Sequence, residues 1–449
     1  MNNKASFGKI MVLGFALFAM FFGAGNLILP PALGTICGSN WFFGFLMYIV
    51  VDAGLAVVAL LAIVRAKGNF MTEAALQLTP KSAFLLTFLN TLCLGPLIAI
   101  PRTAATTFEI AVCPVLKDDP APWVSWVFGA VYFGVVAFLC IKPGKVVDII
   151  GKILSPVMLV ALTILIVIGI VTPIGPIVPA ATFSEALSGG LSAGYQTMDM
   201  LGAVLLGIIA LVSVRESGIT DEKQQIKMVA SGGFIAAIGL FLVYCGLAYL
   251  GATSSGDVVL KVLAAKDRSA LLVDITQRLV GSYGQALLGL IVAAACLTTA
   301  IGLISSCSQN FEDITNGKLP YKPTMLVVIF ISFVLSNLGL ETILSIAAPI
   351  LEIIFPIYIM LVFISFLPLH IRENTYAPIL GACFAMVISI LTVLDGRFPD
   401  VGIYALELPL GEYGLGWLLP SVAASVLGGV VGRFIPRKRG SVATVAQQQ

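Results

Sequence analysis

Ionisable side chains lie inside the long apolar stretches of this chain, where they could bind an ion or a polar ligand. Asp52, Asp199 and Glu352 fall near the centres of three such stretches, while Arg102 and Glu109 share another. A charged side chain at this depth costs about 2.5 to 3.5 kcal/mol on insertion scales. Three acids against one arginine leave excess negative charge, so either some acids are protonated or a cation balances them. Structural pairing with Arg102 remains the alternative, most of all for Asp52 and Glu352.

Glycine, asparagine and proline interrupt the first apolar stretch. The run Phe22-Gly23-Ala24-Gly25-Asn26 is followed closely by Pro30-Pro31, and glycine and proline are the residues least able to hold a helix. Backbone freed from helical hydrogen bonds cannot face lipid. The pattern therefore predicts a broken helix whose N–H and C=O groups face a ligand or ion. Packing of small residues between helices is the alternative.

A second polar interruption lies in the apolar stretch over residues 190–213. It contains the run Gly194-Tyr195-Gln196-Thr197-Met198-Asp199-Met200-Leu201-Gly202-Ala203. Paired broken helices near the midplane are the best sequence indication of a transporter's binding site. We therefore favour a functional role for Asp199 over a structural one.

Two adjacent threonines, Thr298 and Thr299, lie in an apolar run that includes Ala295. Hydroxyl oxygens suit a hard monovalent cation such as sodium, especially beside carbonyls exposed by an unwound neighbouring helix. A threonine in a membrane helix more often donates to a carbonyl of its own preceding turn. Spacing by itself leaves both interpretations open.

The one enzyme motif that the sequence matches lacks the partner residue it would need. Gly190-Leu191-Ser192-Ala193-Gly194 fits the hydrolase pattern G-x-S-x-G. However, the chain has one histidine, His370, which falls at the opposite edge of the predicted membrane region. The sequence also contains no phosphate-binding G-x-x-x-x-G-K-[ST] loop and no H-E-x-x-H zinc motif. These observations predict passage of a solute driven by a gradient, and no enzyme activity.

The composition is that of a membrane protein. Of 449 residues, 59% are hydrophobic and 11% are charged, with a net charge of +2. Soluble proteins average about 45 to 50% apolar and about 25% charged residues. A soluble enzyme, a disordered scaffold and a nucleic-acid-binding protein are therefore excluded.

Continuous apolarity in windows of about 19 residues predicts twelve membrane-spanning helices. Continuation of the first stretch past Gly25 favours a broken span over a cleaved secretory signal. With the N-terminus in the cytoplasm, most of the 25 lysines and arginines fall on the cytoplasmic side, which places both termini there. The predicted spans are residues 8–36, 41–64, 83–112, 122–141, 147–171, 190–213, 227–251, 284–309, 324–338, 342–367, 377–395 and 412–434.

Motifs in order along nearly the whole chain resemble the branched-chain amino acid:cation symporter family, the BrnQ-type carriers of bacteria, within the amino acid, polyamine and organocation superfamily. The motifs are Ala16-Leu17-Phe18-Ala19-Met20-Phe21-Phe22-Gly23-Ala24-Gly25-Asn26-Leu27-Ile28-Leu29-Pro30-Pro31, Gly95-Pro96, Ile100-Pro101-Arg102-Thr103, Tyr132-Phe133, Pro143-Gly144-Lys145, Thr197-Met198-Asp199, Leu201-Gly202-Ala203 and Ser336-Asn337-Leu338-Gly339-Leu340.

The resemblance implies an all-α membrane protein with the leucine-transporter-like fold. One transporter domain over residues 1–449 would contain two inverted five-helix repeats, in which helices 1 and 6 are discontinuous, and two additional helices. The connector at 252–283 would hold short helices on the extracytoplasmic side. The implied ranges are 8–172 for the first repeat, 190–367 for the second and 377–434 for the additional helices.

The resemblance also implies roles for individual residues. The substrate carboxylate would contact Ala24, Gly25 and Asn26 of the unwound first helix. The amino group would contact the sixth helix at Tyr195, Gln196, Thr197, Asp199 and Leu201. A sodium ion would be bound by the carbonyls of Ala19, Phe22 and Ala295 and the hydroxyls of Thr298 and Thr299.

The function implied by the resemblance is sodium-coupled uptake of leucine, isoleucine and valine by alternating access across the bacterial cytoplasmic membrane. The partners would be the small-molecule substrate and the lipid bilayer, with no obligate protein partner and no nucleic acid. A proton-coupled carrier using Lys152 or Asp199 is one alternative. A channel or sensor of the same fold is another.

Overall fold

A computed structural model describes residues 7–66, 70–116, 120–141, 146–216, 218–219, 221–254, 268–398 and 407–435. The chain is built almost entirely of helices, which confirms the predicted all-α class. They are α1 Phe7–Phe21, α2 Ala24–Cys37, α3 Trp41–Ile49, α4 Leu55–Arg65, α5 Phe70–Gln77, α6 Pro80–Leu92, α7 Ala99–Thr107, α8 Cys113–Leu116, α9 Pro122–Ile141, α10 Val146–Val171, α11 Phe183–Thr197, α12 Asp199–Glu216, α13 Glu222–Ala252, α14 Arg268–Ile314, α15 Tyr321–Ser336, α16 Leu340–Ile364, α17 Leu369–Asn374, α18 Ala377–Arg397 and α19 Leu418–Phe434.

Every predicted span overlaps one of these helices or a consecutive set of them, and the span predicted at 412–434 is helical mainly from Leu418. In the described part of the chain, seven continuous helical segments are long and apolar enough to cross a membrane, and the bent pair α1 and α2 makes an eighth. Three shorter apolar helices cover Leu159–Val171, Tyr321–Ser336 and Leu418–Phe434. The protein is therefore a multi-pass membrane protein.

The first predicted break is present but shorter than expected. Phe22 and Gly23 separate α1 from α2, and the axes of the two halves differ by 71°. Gly25 and Asn26 already belong to the first turn of α2. Pro30 and Pro31 lie inside α2, so the expectation that they help to interrupt the helix was wrong.

The second break is confined to one residue, Met198, between α11 and α12. Its left-handed backbone (φ 67°, ψ 16°) ends α11, a conformation that costs energy for a residue with a Cβ. The first half begins at Phe183, earlier than the predicted edge at residue 190, because Thr182 and Glu185 form a capping box. The glycines before the break, such as Gly194, lie within α11.

Three short π-helical segments interrupt other helices. Asp52 lies in the segment Val50–Gly54, Pro96 lies in Cys93–Leu97, and Glu109 lies in Phe108–Val112. A π-helical turn shifts the register of the side chains that follow it and is frequent at functional sites. Asp52 and Glu109, noted in the sequence for their charge, thus also occupy local backbone irregularities.

Close packing of backbones holds α2 against α13. A Cβ added to Gly34 would lie 1.9 Å from the carbonyl oxygen of Ala248, and one added to Gly251 would lie 1.9 Å from that of Pro31. The hydroxyl of Thr35 also donates to the carbonyl of Gly251 at 2.9 Å. Small residues let helices approach this closely in membranes, so the second half of the broken first helix has a fixed position.

The long helix α14 changes direction near its start. Gly281 has a positive φ of 74°, which kinks the helix after its first segment. Residues 255–267 of the predicted connector lie outside the described residues. The segment from Arg268 to the kink packs at the end of the bundle near the start of α16, as its contacts below show.

Candidate functional site: a central cavity between two broken helices

Asn26 joins the two broken helices. Its side-chain amide donates to Asp199 Oδ2 at 2.9 Å, to the hydroxyl of Tyr244 at 2.7 Å and to the carbonyl of Phe21 at 2.8 Å. Asn26 is 1% exposed and Asp199 is 8% exposed. The first turn of α2, the last turn of α1, the first turn of α12 and the middle of α13 therefore meet at one side chain.

Arg102 lies between the ends of two half-helices. Its guanidinium donates to the carbonyl oxygens of Gln196 at 2.6 Å and Thr197 at 3.4 Å, which are at the C-terminus of α11. It also lies against Gly25, where an added Cβ would come within 2.8 Å of the guanidinium carbon. A cation is favoured at a helix C-terminus. The guanidinium thus occupies carbonyls that the sequence analysis assigned to the substrate's amino group.

Asp52 reaches the same place from the second predicted span. Its carboxyl is fully buried and faces the carboxyl of Asp199 and the hydroxyl of Thr197. Among the described residues, neither of its oxygens has a hydrogen bond of normal geometry. The nearby hydroxyl of Tyr48 is likewise buried without a described partner. Two neighbouring buried carboxyls are unfavourable unless a proton or another cation offsets their charge.

A small cavity of about 50 Å³ lies between these groups. Ligand pockets for small molecules are usually about 300 to 1,000 Å³, so this cavity has room for water or an ion and must widen to admit an amino acid. Its lining comes from both breaks, from α7 and α14, and from the π-helical segment between α6 and α7. The lining residues are Met20, Phe21, Gly23, Asn26, Leu94, Ala99, Arg102, Thr103, Thr197, Met198, Asp199, Gly202, Thr299 and Leu303.

The residues expected to bind sodium have different surroundings in the structure. Thr299 lines the central cavity next to the first break, and its methyl group is the atom nearest to a Cβ built on Gly23, at 3.9 Å. The hydroxyl of Thr298 instead donates to the carbonyl of Ala295 at 2.9 Å. Ala19 is exposed. Phe22 is buried, and its backbone N–H donates to the carbonyl of Phe18.

The residues expected to contact the amino group point in different directions. Thr197 and Asp199 line the central cavity. Tyr195 lines a separate, outer cavity and stacks on Phe355 with 4.7 Å between ring centroids. Leu201 is fully buried, and its carbonyl accepts from Asn90.

The side chain of Gln196 belongs to a polar layer above the central cavity. It accepts from Arg268 at 3.0 Å and approaches the hydroxyl of Ser192 at 3.4 Å. The backbone N–H of Arg268 donates to Glu341 at 3.0 Å. This layer ties the start of α14 to α11 and to the start of α16.

Glu109 forms a second connection at the same end. One of its oxygens accepts from the hydroxyl of Ser269 at 2.5 Å and the other accepts from the backbone N–H of Leu340 at 2.9 Å. The first segment of α14 is therefore fixed to α16 through the third predicted span.

Sequence reasoning did not assign Arg102 or Tyr244 to the site. The signal for Arg102 was present, since an arginine within an apolar span needs a partner, but nothing in the sequence identified its carbonyl acceptors. Tyr244 lies in an ordinary apolar stretch and carries no comparable signal. Its hydroxyl reaches Asn26 because α13 packs directly against α2.

The fold, with its two broken helices, is one found among solved membrane transporters. The overall structure resembles that of Mhp1, a transporter of the nucleobase-cation-symport-1 family solved in a closed conformation with bromovinylhydantoin bound, at a TM-score of 0.61 and 14% identity, covering 97% of this chain and 95% of Mhp1. It also resembles MhsT solved in complex with L-phenylalanine, at a TM-score of 0.55 and 16% identity, covering 94% and 98% of the two chains.

The chain belongs to the family of branched-chain amino acid transport proteins, whose profile matches residues 6–435. It is 33% identical over 440 residues to the branched-chain amino acid permease BrnQ of Bacillus subtilis, covering 97% of this chain and 99% of that protein. It is 35% identical over 437 residues to a putative branched-chain amino acid carrier protein of Staphylococcus aureus, covering 94% and 96%. The relatives are named as permeases and carriers rather than enzymes. The resemblance read from the motifs is confirmed.

Proposed function

We propose that this protein is a secondary active symporter that takes up leucine, isoleucine and valine together with sodium by alternating access. The observation that carries the proposal is the meeting of two broken helices at Asn26 and Asp199, with the Arg102 guanidinium between their ends. Half-helix ends at the midplane are where such carriers bind substrate and ion. Family membership and the names of the relatives supply the substrate class.

The groups at the breaks suit a zwitterion. Backbone N–H groups at the start of α2 and the guanidinium of Arg102 favour the carboxylate. Asp199 offers an acceptor for the ammonium group. The aliphatic side chain requires an apolar cleft, which Leu94, Ala99 and Leu303 contribute to. One methylene changes binding by about 1 to 3 kcal/mol, so overlapping affinities for the three substrates follow.

Sodium is the proposed coupling ion. Two observations support this choice: Thr299 lines the central cavity, and Phe22 is one of the two residues of the first break. In the proposal, the hydroxyl of Thr298 releases its hydrogen bond to the carbonyl of Ala295. These two oxygens then bind the ion together with the hydroxyl of Thr299 and the carbonyls of Ala19 and Phe22. This rearrangement accompanies the widening of the central cavity.

Reconstitution in proteoliposomes tests the proposal. An inward sodium gradient should drive leucine accumulation, and Thr299→Ala should raise the sodium concentration for half-maximal uptake at least tenfold. Thr299→Ser retains the hydroxyl and serves as the matched control. Leucine uptake that is indifferent to sodium would refute the coupling. Exchange of labelled for unlabelled leucine at equilibrium would separate a carrier from a channel or a sensor.

Proton coupling is the second candidate, and the pairing of Asp52 with Asp199 favours it. Asp52 is fully buried and does not line the central cavity, and a proton needs no cavity to offset the charge of two carboxyls. A pH gradient that drives leucine uptake in the absence of sodium would select this candidate. The side chain of Lys152, the other expected titrating group, lies outside the described residues.

The proposal includes the remaining architecture implied by the family resemblance. Twelve spans would form two inverted five-helix repeats over 8–172 and 190–367, followed by two helices over 377–434. Both termini would be in the cytoplasm of a bacterium, with the first segment of α14 outside the cytoplasmic membrane. The test is to label a cysteine introduced into the tail after Arg433. We expect the reagent to react with it only from the cytoplasmic side.

A further inference from the structure

A second and larger cavity lies beside α11. Its volume is about 540 Å³, within the usual range for a small-molecule site. It has no lining residue in common with the central cavity. α11, α16, α18 and the segment before α19 form its walls, and the lining residues are Glu185, Ser188, Gly189, Leu191, Ser192, Tyr195, Ser345, Ala348, Pro349, Glu352, Ser389, Thr392, Val393, Gly396, Arg397, Gly414 and Trp417.

Two buried polar side chains form part of the wall of this outer cavity. The hydroxyl of Ser389 and the indole N–H of Trp417 have no hydrogen bond among the described residues, and these residues are 3% and 4% exposed. The hydroxyl of Tyr195 approaches the indole of Trp417 without forming a hydrogen bond of normal geometry. Both groups keep hydrogen-bonding capacity beside the cavity.

The cavity also holds one charge of each sign. Glu352 is partly buried, and the hydroxyl of Ser192 donates to its Oε1 at 3.0 Å. Arg397 lies at the rim, close enough to attract Glu352 electrostatically. Leu191 and Val393 supply apolar surface between these groups.

This arrangement matches the chemistry of an aliphatic amino acid. Its ammonium group would pair with Glu352, and its carboxylate would pair with Arg397. Its side chain would contact Leu191 and Val393. A simple anion would meet Glu352, and a simple cation would meet Arg397, so a zwitterion is the ligand that both charges favour.

We propose that the outer cavity binds a zwitterionic aliphatic amino acid independently of the central cavity. The choice of leucine as the probe rests on the proposed function. In the proposed orientation the outer cavity opens on the extracytoplasmic side, so it would hold substrate before the polar layer around Gln196 opens. The two cavities would then be occupied in sequence or together.

Tryptophan emission from the full-length purified protein tests binding at the outer cavity. The chain has four tryptophans. The contribution of Trp417 is therefore taken as the part of the leucine-induced change in emission that is lost in Trp417→Phe. That signal should persist in Asp199→Asn, which alters the central cavity. Its loss in Asp199→Asn would show that it reports the central cavity and would overturn the proposal.

Substitutions at the two charges test the ligand's chemistry. Glu352→Gln and Arg397→Gln should each weaken the leucine response at least tenfold, while Glu412→Gln and Arg433→Gln, which do not line the cavity, should leave it unchanged. Leucinamide and 4-methylpentanoate, which each lack one charge, should bind at least tenfold more weakly than leucine. A response that both charge substitutions leave unchanged would also overturn the proposal. Arg397 is exposed, so Arg397→Gln is expected to fold and tests the ligand's chemistry even if Glu352→Gln does not fold.

The outcome is separable from that of the proposed function. Leucine uptake into proteoliposomes reports the proposed function, whereas Trp417 emission reports the outer cavity. Uptake without an emission response sensitive to Glu352 and Arg397 would overturn the outer site alone. An emission response without uptake would overturn the transport proposal alone.

Discussion

The amide of Asn26 donates to the carboxylate of Asp199 at 2.9 Å, although 173 residues separate them in the chain. Each residue lies in the first turn of the second half of a broken helix. A change in the tilt of either half-helix must therefore move or break this bond. We regard it as the contact through which the two breaks are coupled.

Removing this contact should reduce transport more than stability. A hydrogen bond to a charged group contributes about 1.5 to 3 kcal/mol, so we expect Asn26→Ala and Asp199→Asn each to lower leucine uptake about 10-fold to 100-fold. The exchange Asn26→Asp with Asp199→Asn restores an amide-to-carboxylate pair and should recover part of the loss. The measurement is leucine uptake at equal amounts of reconstituted protein. If the double variant takes up leucine no faster than the slower single variant, direct coupling is contradicted.

Asp52→Asn should flatten the dependence of leucine binding on pH. If Asp52 and Asp199 share a proton, raising the pH removes it and restores repulsion between the carboxylates, so wild-type binding should weaken as pH rises. An asparagine mimics the protonated carboxyl and removes that step. Tyr48, Tyr244 and Arg102 also face the pair or lie beside it. Binding titrations across pH provide the measurement, and parallel pH profiles for wild type and variant would argue against proton sharing.

Arg102→Gln should weaken leucine binding strongly, and Arg102→Lys should bind leucine almost as weakly. The planar guanidinium serves the carbonyls of Gln196 and Thr197 together, a geometry that one ammonium group cannot reproduce. We expect about a 100-fold loss for either variant in a binding assay. The control is Arg278→Gln, which breaks a partly exposed pair with Asp274 and should change binding by less than about twofold because exposed ion pairs contribute little.

Gly251→Ala should destabilise the protein. Its methyl group would collide with the backbone carbonyl of Pro31, which α2 cannot move without disturbing the first break. Overpacking of this kind costs about 1 to 3 kcal/mol, seen as a lower melting temperature of the purified protein. Gly134→Ala is the matched control, because a Cβ there meets nothing within 4 Å. Equal melting temperatures for the two variants would show that α2 and α13 are free to separate.

The sequence predicted the helical spans because apolar length is sufficient to identify a membrane helix. It also located both breaks within a few residues, since glycine, asparagine and an acid are costly inside a span. The extent of each break was not predictable. Pro30 and Pro31 remain inside α2, and the second break is Met198 alone, because packing against neighbours decides where a helix tolerates such residues.

The sequence by itself determined which class of protein this is and indicated which two segments carry the candidate site. Only the tertiary structure decided which side chains contact one another at the candidate site. It placed Arg102 against the end of α11, brought Asp52 to Asp199, and turned Tyr195 away into the outer cavity. The physical reason is that composition and local spacing fix what each helix buries, whereas the rotation and approach of one helix against another depend on contacts between residues distant in the chain.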